Sequence, residues 1–218
     1  MKRFKHIVCT VEPGKEYKPA LERAVTLAEN NQADLTVITV APLISAGIGM
    51  PEGGLVSTDL QAATVNSHEQ ELENLVEPYR QRIKIETRVL IGTPFLEIIR
   101  EVLRNAHDLV LKCPESPDWF DRLFSSDDKH LLRKCPCPVW MVRPQTGESF
   151  DRILAAVDVD DSYPSKELET RQALNEKVIE LASSLAVSEF AELHVAHAWE
   201  AIAESFMRHA SWCIHATA

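Results

Sequence analysis

The chain is expected to be an α/β protein: a five-stranded parallel sheet sandwiched by helices, followed by a partial second copy of the same unit. Three observations point there. Short apolar segments alternate with amphipathic ones over residues 4–142, the pattern of successive β-α units whose right-handed crossovers leave the strands parallel. The first segment, His6–Val11, is apolar almost throughout, as a strand buried on both faces requires. Finally, the opening Phe4-Lys5-His6-Ile7-Val8-Cys9-Thr10-Val11 recurs as Phe150-Asp151-Arg152-Ile153-Leu154-Ala155-Ala156-Val157. Each copy is followed by an acidic residue, Glu12 or Asp158, and then by a helix opening Ala20-Leu21 or Ala173-Leu174. Repetition on this scale marks two copies of one domain.

The elements follow in order. Leu21, Ala24, Val25, Leu27 and Ala28 make one apolar stripe of a helix over Pro19–Asn30. Leu35–Val40 is the second strand. The loop from Ala41 to about Ser57 holds four of the seven glycines and two prolines, a composition rich in backbone freedom and poor in side chains to bury. A long helix after it sets Leu60, His68, Leu72, Leu75, Val76 and Tyr79 near one face. Over Ile83–Ile91 apolar and polar residues alternate with period two, so this third strand has one more exposed face, as near a sheet edge.

Gly92 makes a turn, Thr93 is placed to cap the next helix and Pro94 suits its first position. Phe95, Ile98, Ile99, Val102 and Leu103 form its apolar stripe. Asp108–Lys112 is the fourth strand. Ser125 or Ser126 caps a helix running to about Lys134, which Pro136 and Pro138 end, and Val139–Val142 is the fifth strand. Arg143–Ser149 reads as a linker. Beyond it come a strand over Arg152–Val159, a helix over about Arg171–Ala186, a strand over Ala191–Ala198 and a helix over Trp199–Met207. Residues 1–144 thus form a complete domain and residues 150–218 about half of a second, stopping after β-α-β-α.

Composition excludes several classes of function. The 33 acidic residues exceed the 23 basic ones, a net charge of −10 with no basic stripe, which disfavours nucleic acid and anionic membrane surfaces as partners. Nothing approaches the roughly 20 apolar residues of a membrane span. The five cysteines, Cys9, Cys113, Cys135, Cys137 and Cys213, are odd in number and scattered, which argues against a disulfide framework. With no secretory signal at the start of the chain, the expected location is the cytoplasm.

The candidate chemical clusters have simpler structural readings. Ser125, Ser126, Asp128 and His130 suggest a hydrolase only by proximity in sequence, whereas triads are assembled from separated segments. Helix capping explains the serines and aspartate. Cys135-Pro136-Cys137 with His130 lacks the spacing of a zinc site, and its two thiols are expected to point apart in a buried helix-to-strand turn, which is favoured over both a metal site and a redox thiol. His194 and His197, three apart on one strand, face opposite sides. Trp119, Phe120, Leu123 and Phe124 make an apolar cluster that anchors its loop or covers an apolar ligand.

Gly92-x-Pro94, Ile98-Ile99, His107-Asp108-Leu109-Val110 and Cys137-Pro138-Val139, in that order, resemble the universal stress protein family. Leu109-Val110-Leu111-Lys112 and His130-Leu131-Leu132-Arg133-Lys134-Cys135-Pro136 are similar to its tandem, type-E-like members, and the resemblance continues to about Trp199. It implies a three-layer sandwich of the flavodoxin-like or adenine nucleotide α-hydrolase-like kind, with strand order 3-2-1-4-5. It also implies a ligand site at the carboxyl ends of the strands, where many members hold ATP on a Gly-x2-Gly-x9-Gly-Ser/Thr loop. There glycines admit backbone N–H groups to the phosphates and a helix N-terminus adds positive dipole.

The positions of this chain that match the loop are Lys112, Glu115, Ser125 and Ser126, so all three glycines are absent. Asp127 and Asp128 occupy the first turn of the following helix, where an anionic ligand would need the dipole. Glu115 and Asp118 add negative charge, and Lys112 alone favours an anion. The degenerate site comprises Glu12, Val40, Lys112, Ser125 and Ser126, with Asp158 the counterpart of Glu12 in the second copy. The resemblance therefore implies a non-enzymatic stress-response binding or scaffold module with no cofactor. The alternatives are an ATP-binding sensor with slow ATPase activity and an apolar-ligand carrier. It also implies a homodimer through Val139–Val142.

Overall fold

The computed structural model describes residues 4–44, 55–114, 126–143, 150–160 and 163–198. The predicted helix over Trp199–Met207, most of the Gly-rich loop, and the loop carrying Glu115, Trp119, Phe120 and Ser125 lie outside the described residues. The chain divides into two units, the first over residues 3–148 and the second over residues 149–218 together with the first two residues.

In the first unit the order is β1 (His6–Thr10), α1 (Lys18–Asn31), β2 (Asp34–Ala41), α2 (Leu55–Val76), β3 (Ile85–Ile91), α3 (Pro94–Asn105), β4 (Leu109–Lys112), α4 (Ser126–Lys134) and β5 (Val139–Met141). All pairings are parallel and the sheet runs β3-β2-β1-β4-β5. The central strands carry the continuous apolar runs: Ile7, Val8 and Cys9 of β1, Val37 and Ile38 of β2 and Val110 and Leu111 of β4 are fully buried. Alternating β3 lies at one edge, where the period-two pattern placed it. One core layer gathers Val8, Ile38, Ile98, Val102, Val110 and Leu131, with Phe95, Ile99, Val139, Cys135 and Cys137 packed on it.

Several boundaries and contacts differ from expectation. β3 starts at Ile85, because the amides of Arg82 and Ile83 bond back to the Tyr79 carbonyl and close a turn instead of extending the strand. Helix α2 already includes Leu55, and its Leu60 is exposed. In α3, Leu103 is exposed while Glu97 and Glu101 are buried, so the helix is rotated toward its acidic side. Thr93 stands at the cap position without a side-chain bond; its carbonyl accepts the Leu96 and Glu97 amides. Gly92 has φ +144, and a β-carbon there would lie 3.0 Å from Glu97 Oε1, so the turn requires glycine.

The second unit has β6 (Arg152–Val157), α5 (Ser165–Glu189) and β7 (Glu192–His197), with β6 and β7 paired in parallel. Helix α5 begins six residues before its predicted start at Arg171; Ser165–Thr170 is polar apart from Leu168, so no apolar period marks these first turns. Its burial is slight: Ala182 and Ala186 are its buried residues, and Leu174, Val187 and Phe190 are exposed.

Three helices end on a non-glycine residue in the left-handed region: Gln32 after α1, Ala106 after α3 and Phe190 after α5. The turns after α1 and α5 share two bonds, a pattern that the turn after α3 repeats through the His107 amide to Val102 O and the Asp108 amide to His6 O. The Ala33 amide donates to Ala28 O and the Ala191 amide to Ala186 O, both at 2.9 Å; the Asp34 amide donates to Lys5 O and the Glu192 amide to Asp151 O, also at 2.9 Å.

Candidate functional site

The carboxyl ends of β1 and β4 and the first turn of α4 converge on one polar spot. Lys112 closes β4, in register with Thr10 of β1 and Met141 of β5. Its carbonyl accepts the Val142 amide at 2.8 Å, which ties the strand end on the β5 side. The lysine is buried, and its Nζ lies 2.7 Å from Oδ1 of Asp128 and 3.5 Å from Oε1 of Glu12. Asp128 occupies the first turn of α4 and is itself buried. Glu12, half-buried just after β1, also pairs with Lys15 three residues on, and its carbonyl accepts the Lys15 amide. A single interior ammonium therefore serves two carboxylates from separate elements.

Among the sequence-predicted site residues, Glu12 and Lys112 are brought together. The lysine expected to favour an external anion is turned inward onto Asp128, because a buried ammonium needs a charged partner within reach. Val40 is half-buried at the end of β2 and packs on the core layer. Ser126 opens α4, and Ser125 lies outside the described residues. Asp128 is the site residue whose structural role sequence reasoning missed: its place in a first helical turn reads as capping and dipole stabilisation. His130, grouped with it in sequence, is exposed and stacks on Phe95 with ring centroids 4.8 Å apart, so Asp128 and His130 serve different neighbours.

In the second unit Asp158 is held locally. Its backbone amide donates to Asn175 Oδ1 at 3.0 Å and its carbonyl accepts from Asn175 Nδ2 at 2.6 Å. Its carboxylate pairs with Arg171, whose guanidinium lies 3.5 Å over the Tyr163 ring. Asn175 and Arg171 both come from α5, on either side of Ala173-Leu174. His197 lies near the same loop: its Nδ1 is 3.4 Å from the Val159 amide, and His194 pairs instead with Glu192 on the other face.

A second polar cluster lies at the opposite ends of the strands. The buried Glu101 carboxylate accepts from Arg88 Nη1 and Asn105 Nδ2, both at 2.9 Å, and stands 3.4 Å from Nε2 of buried His107. Arg88, Asn105 and His107 border a cavity of about 240 Å³ that His6, Asp34, Lys84 and Glu86 also line. Nearby, the Asp108 carboxylate accepts the backbone amides of Lys5 and His6, joining the entry to β4 to that of β1.

The thiols depart most from expectation. Cys135 and Cys137 do not point apart: the chain bends at Pro136 and Cys137 and sets their Sγ atoms 3.7 Å from each other. Cys9 is fully buried, and burial raises its pKa well above the ordinary thiol value; Cys113 is raised for the same reason. Among the described residues no group of three or more His, Cys, Asp or Glu side chains is placed to hold a metal ion.

Comparison with known proteins gives one consistent answer. Universal stress protein E of Escherichia coli (strain K12) is 32% identical over 196 residues, 85% of this chain and 58% of its own length. That of Photorhabdus laumondii is 28% identical over 207 residues, 91% of this chain and 63% of the relative. The chain thus spans about three fifths of the length of these relatives. Among solved structures, a functionally unknown protein from Pseudomonas aeruginosa PAO1 superposes with TM-score 0.62 at 24% identity, over 97% of this chain and 66% of its own. Universal stress protein UspA from Lactobacillus plantarum superposes with TM-score 0.56 at 18% identity, over 66% of this chain and all of its own. Both share the fold described above. Residues 3–143 match the model of the universal stress protein family, and the chain belongs to that family.

Proposed function

We propose that the chain acts in the stress response as a non-enzymatic binding or scaffold module whose first unit does not take up ATP phosphates. The observation that carries this reading is the inward commitment of Lys112 to Asp128 and Glu12. A phosphate at the end of β4 would have to displace Asp128, leaving a carboxylate buried without its counter-charge, and would meet Glu12 as a second like charge. The loop positions Lys112, Glu115 and Ser125, none of them glycine, support the same reading, because side chains there hinder approach of backbone amides to an anion. Titration calorimetry with magnesium-ATP tests it. No heat of binding at micromolar nucleotide is expected; micromolar binding that weakens in Lys112→Ala overturns the reading in favour of an ATP-dependent sensor.

A second reading, an apolar-ligand carrier, rests on the Trp119-Phe120 cluster. Mass spectrometry of an organic extract of the purified protein separates the two, since a carrier yields a stoichiometric co-purified ligand.

For assembly, we propose a homodimer through the edge strand β5. Among the described residues no strand pairs with its outer edge, and Val139, Trp140 and Met141 are half-buried. Unpaired edges invite pairing with a second copy. A monomer by light scattering at micromolar concentration argues against it. The second unit is proposed to be the start of a second domain copy, on the strength of the recurrence of Phe4–Val11 in Phe150–Val157 and of the same β-α-β order with parallel pairing. The proposed location is the cytoplasm, a reducing compartment that suits an odd, scattered set of cysteines. Among the described residues no helix is long and apolar enough to cross a membrane. Net charge of −10 supports a function without nucleic acid.

A further inference from the structure

The turn between α4 and β5 carries a chemistry that the ligand site does not use. Helix α4 ends when the Cys135 amide bonds to Leu131 O at 2.9 Å; the chain then bends through Pro136 and Cys137 before β5. Proline fixes its own backbone angle and restricts the residue before it, so the bend is stiff. It holds two thiols with Sγ atoms 3.7 Å apart, both half-buried at the border of the core. A disulfide requires the sulfurs to close from 3.7 Å to about 2.05 Å.

We propose that Cys135 and Cys137 are a redox-active dithiol that exchanges with low-molecular-weight disulfides of the glutathione type and is converted reversibly to an intramolecular Cys135–Cys137 disulfide. In the first step the Cys135 thiolate attacks one sulfur of the small disulfide. A mixed disulfide forms, the small disulfide's S–S bond breaks, and one small thiolate leaves. In the second, Cys137 loses its proton and attacks Sγ of Cys135. The protein disulfide forms, the mixed disulfide breaks, and a second small thiolate leaves. The dithiol is oxidised by two electrons and the small disulfide is reduced to two thiols.

The surroundings assign the roles. The two thiols share one hydrogen bond, and that bond, together with the Cys137 backbone amide, pulls the Cys135 pKa down to about 7. Cys137 is held far above the ordinary thiol value, chiefly because its proton is engaged by Cys135, with burial and the nearby Asp108 carboxylate adding to the effect. The attacking thiol thus has a pKa near ambient pH, which favours exchange, and the resolving thiol stays protonated until needed. A bridge across one intervening residue closes a small ring, and strained bridges are the readily reduced ones.

The experiment incubates the intact folded chain in buffers of graded reduced-to-oxidised glutathione ratio, quenches with acid, alkylates free thiols and maps the cysteine peptides by mass spectrometry. The expected result is an internal disulfide on the peptide carrying Cys135 and Cys137, reversed by excess reduced glutathione, while Cys9 and Cys113 are alkylated as free thiols after denaturation. In Cys137→Ser the glutathione adduct is expected to accumulate on Cys135, since no second thiol is left to displace it. The wild-type measurement needs no variant, and circular dichroism verifies that the variant is folded. A pair that stays reduced in every buffer, or that takes separate glutathione adducts without an internal bridge, overturns the proposal. A Cys137→Ser variant that carries no adduct on Cys135 overturns the assignment of Cys135 as the attacking thiol.

Discussion

The ammonium of Lys112, on the last residue of β4, lies 2.7 Å from the carboxylate of Asp128 in the first turn of α4, with side chains 3% and 1% exposed. Removing two ions from water is costly, and their attraction repays that cost only while both are present. Asp128→Leu or Lys112→Met alone is therefore expected to destabilise the first unit by about 3–5 kcal/mol. The double variant, Lys112→Met with Asp128→Leu, is expected to fall within about 1 kcal/mol of the parent, since an apolar pair carries no desolvation penalty. Urea unfolding midpoints of the three variants close the cycle. Additive single losses would show that the pair is not coupled.

Glu101 is a second buried carboxylate whose partners come from separate elements: Arg88 from β3, Asn105 from α3 itself and His107 from the turn into β4. Glu101→Leu is expected to cost about 2–3 kcal/mol, the scale of hydrogen bonds to a charged group. Chemical denaturation measures it directly. A loss below about 0.5 kcal/mol, typical of a surface change, would mean that the network contributes nothing net.

The acid limb of the stability curve is expected to include a contribution from Glu73. Its carboxylate accepts from the Thr87 hydroxyl and from Arg80, which hold its pKa below the ordinary glutamate value. With the folded value depressed, this stabilisation is fully present above the ordinary value. It is lost as pH falls through the folded one. Glu73→Gln is expected to flatten that part of the curve without changing its shape near neutrality. A parallel offset at all pH values would mean that the residue acts by packing alone.

The second unit is expected to open more readily than the first. Strands β6 and β7 form a two-stranded sheet with Leu154 and Val195 exposed, and α5 has little buried surface, whereas β1 and β4 are buried on both faces. Few buried contacts mean low-energy local opening. Native-state hydrogen exchange is expected to show amides of Ile153–Val157 exchanging at least about tenfold faster than those of Ile7–Thr10. Equal protection in the two strands would refute it.

The central strands were legible because burial on both faces leaves a continuous apolar run, as in Ile7–Cys9 and Leu109–Leu111, and the edge position of β3 because half-burial leaves alternation. Glu101 was not legible. A glutamate on a helix reads as solvated, and most of its partners lie on other elements, so its burial follows from tertiary contacts alone. The identity of Lys112 was plain in the sequence, but its direction depended on where α4 begins relative to β4. The proximity of Cys135 and Cys137 depended on the sense of the bend at Pro136, which residue types leave open. The first turns of α5 were hidden because Ser165–Thr170 has helix-compatible residues but almost nothing to bury.

The left-handed residues closing α1, α3 and α5 have a practical consequence. Gln32, Ala106 and Phe190 each hold a β-carbon in a backbone well that disfavours one, so these three positions form a ready route to a hardier protein. Glycine at any of them relieves that crowding at a smaller entropic cost in the unfolded chain, a net gain of about 0.5–1 kcal/mol. Position 190 is the most attractive of the three, since its phenylalanine is almost wholly in water and its replacement also removes a sticky ring from the surface.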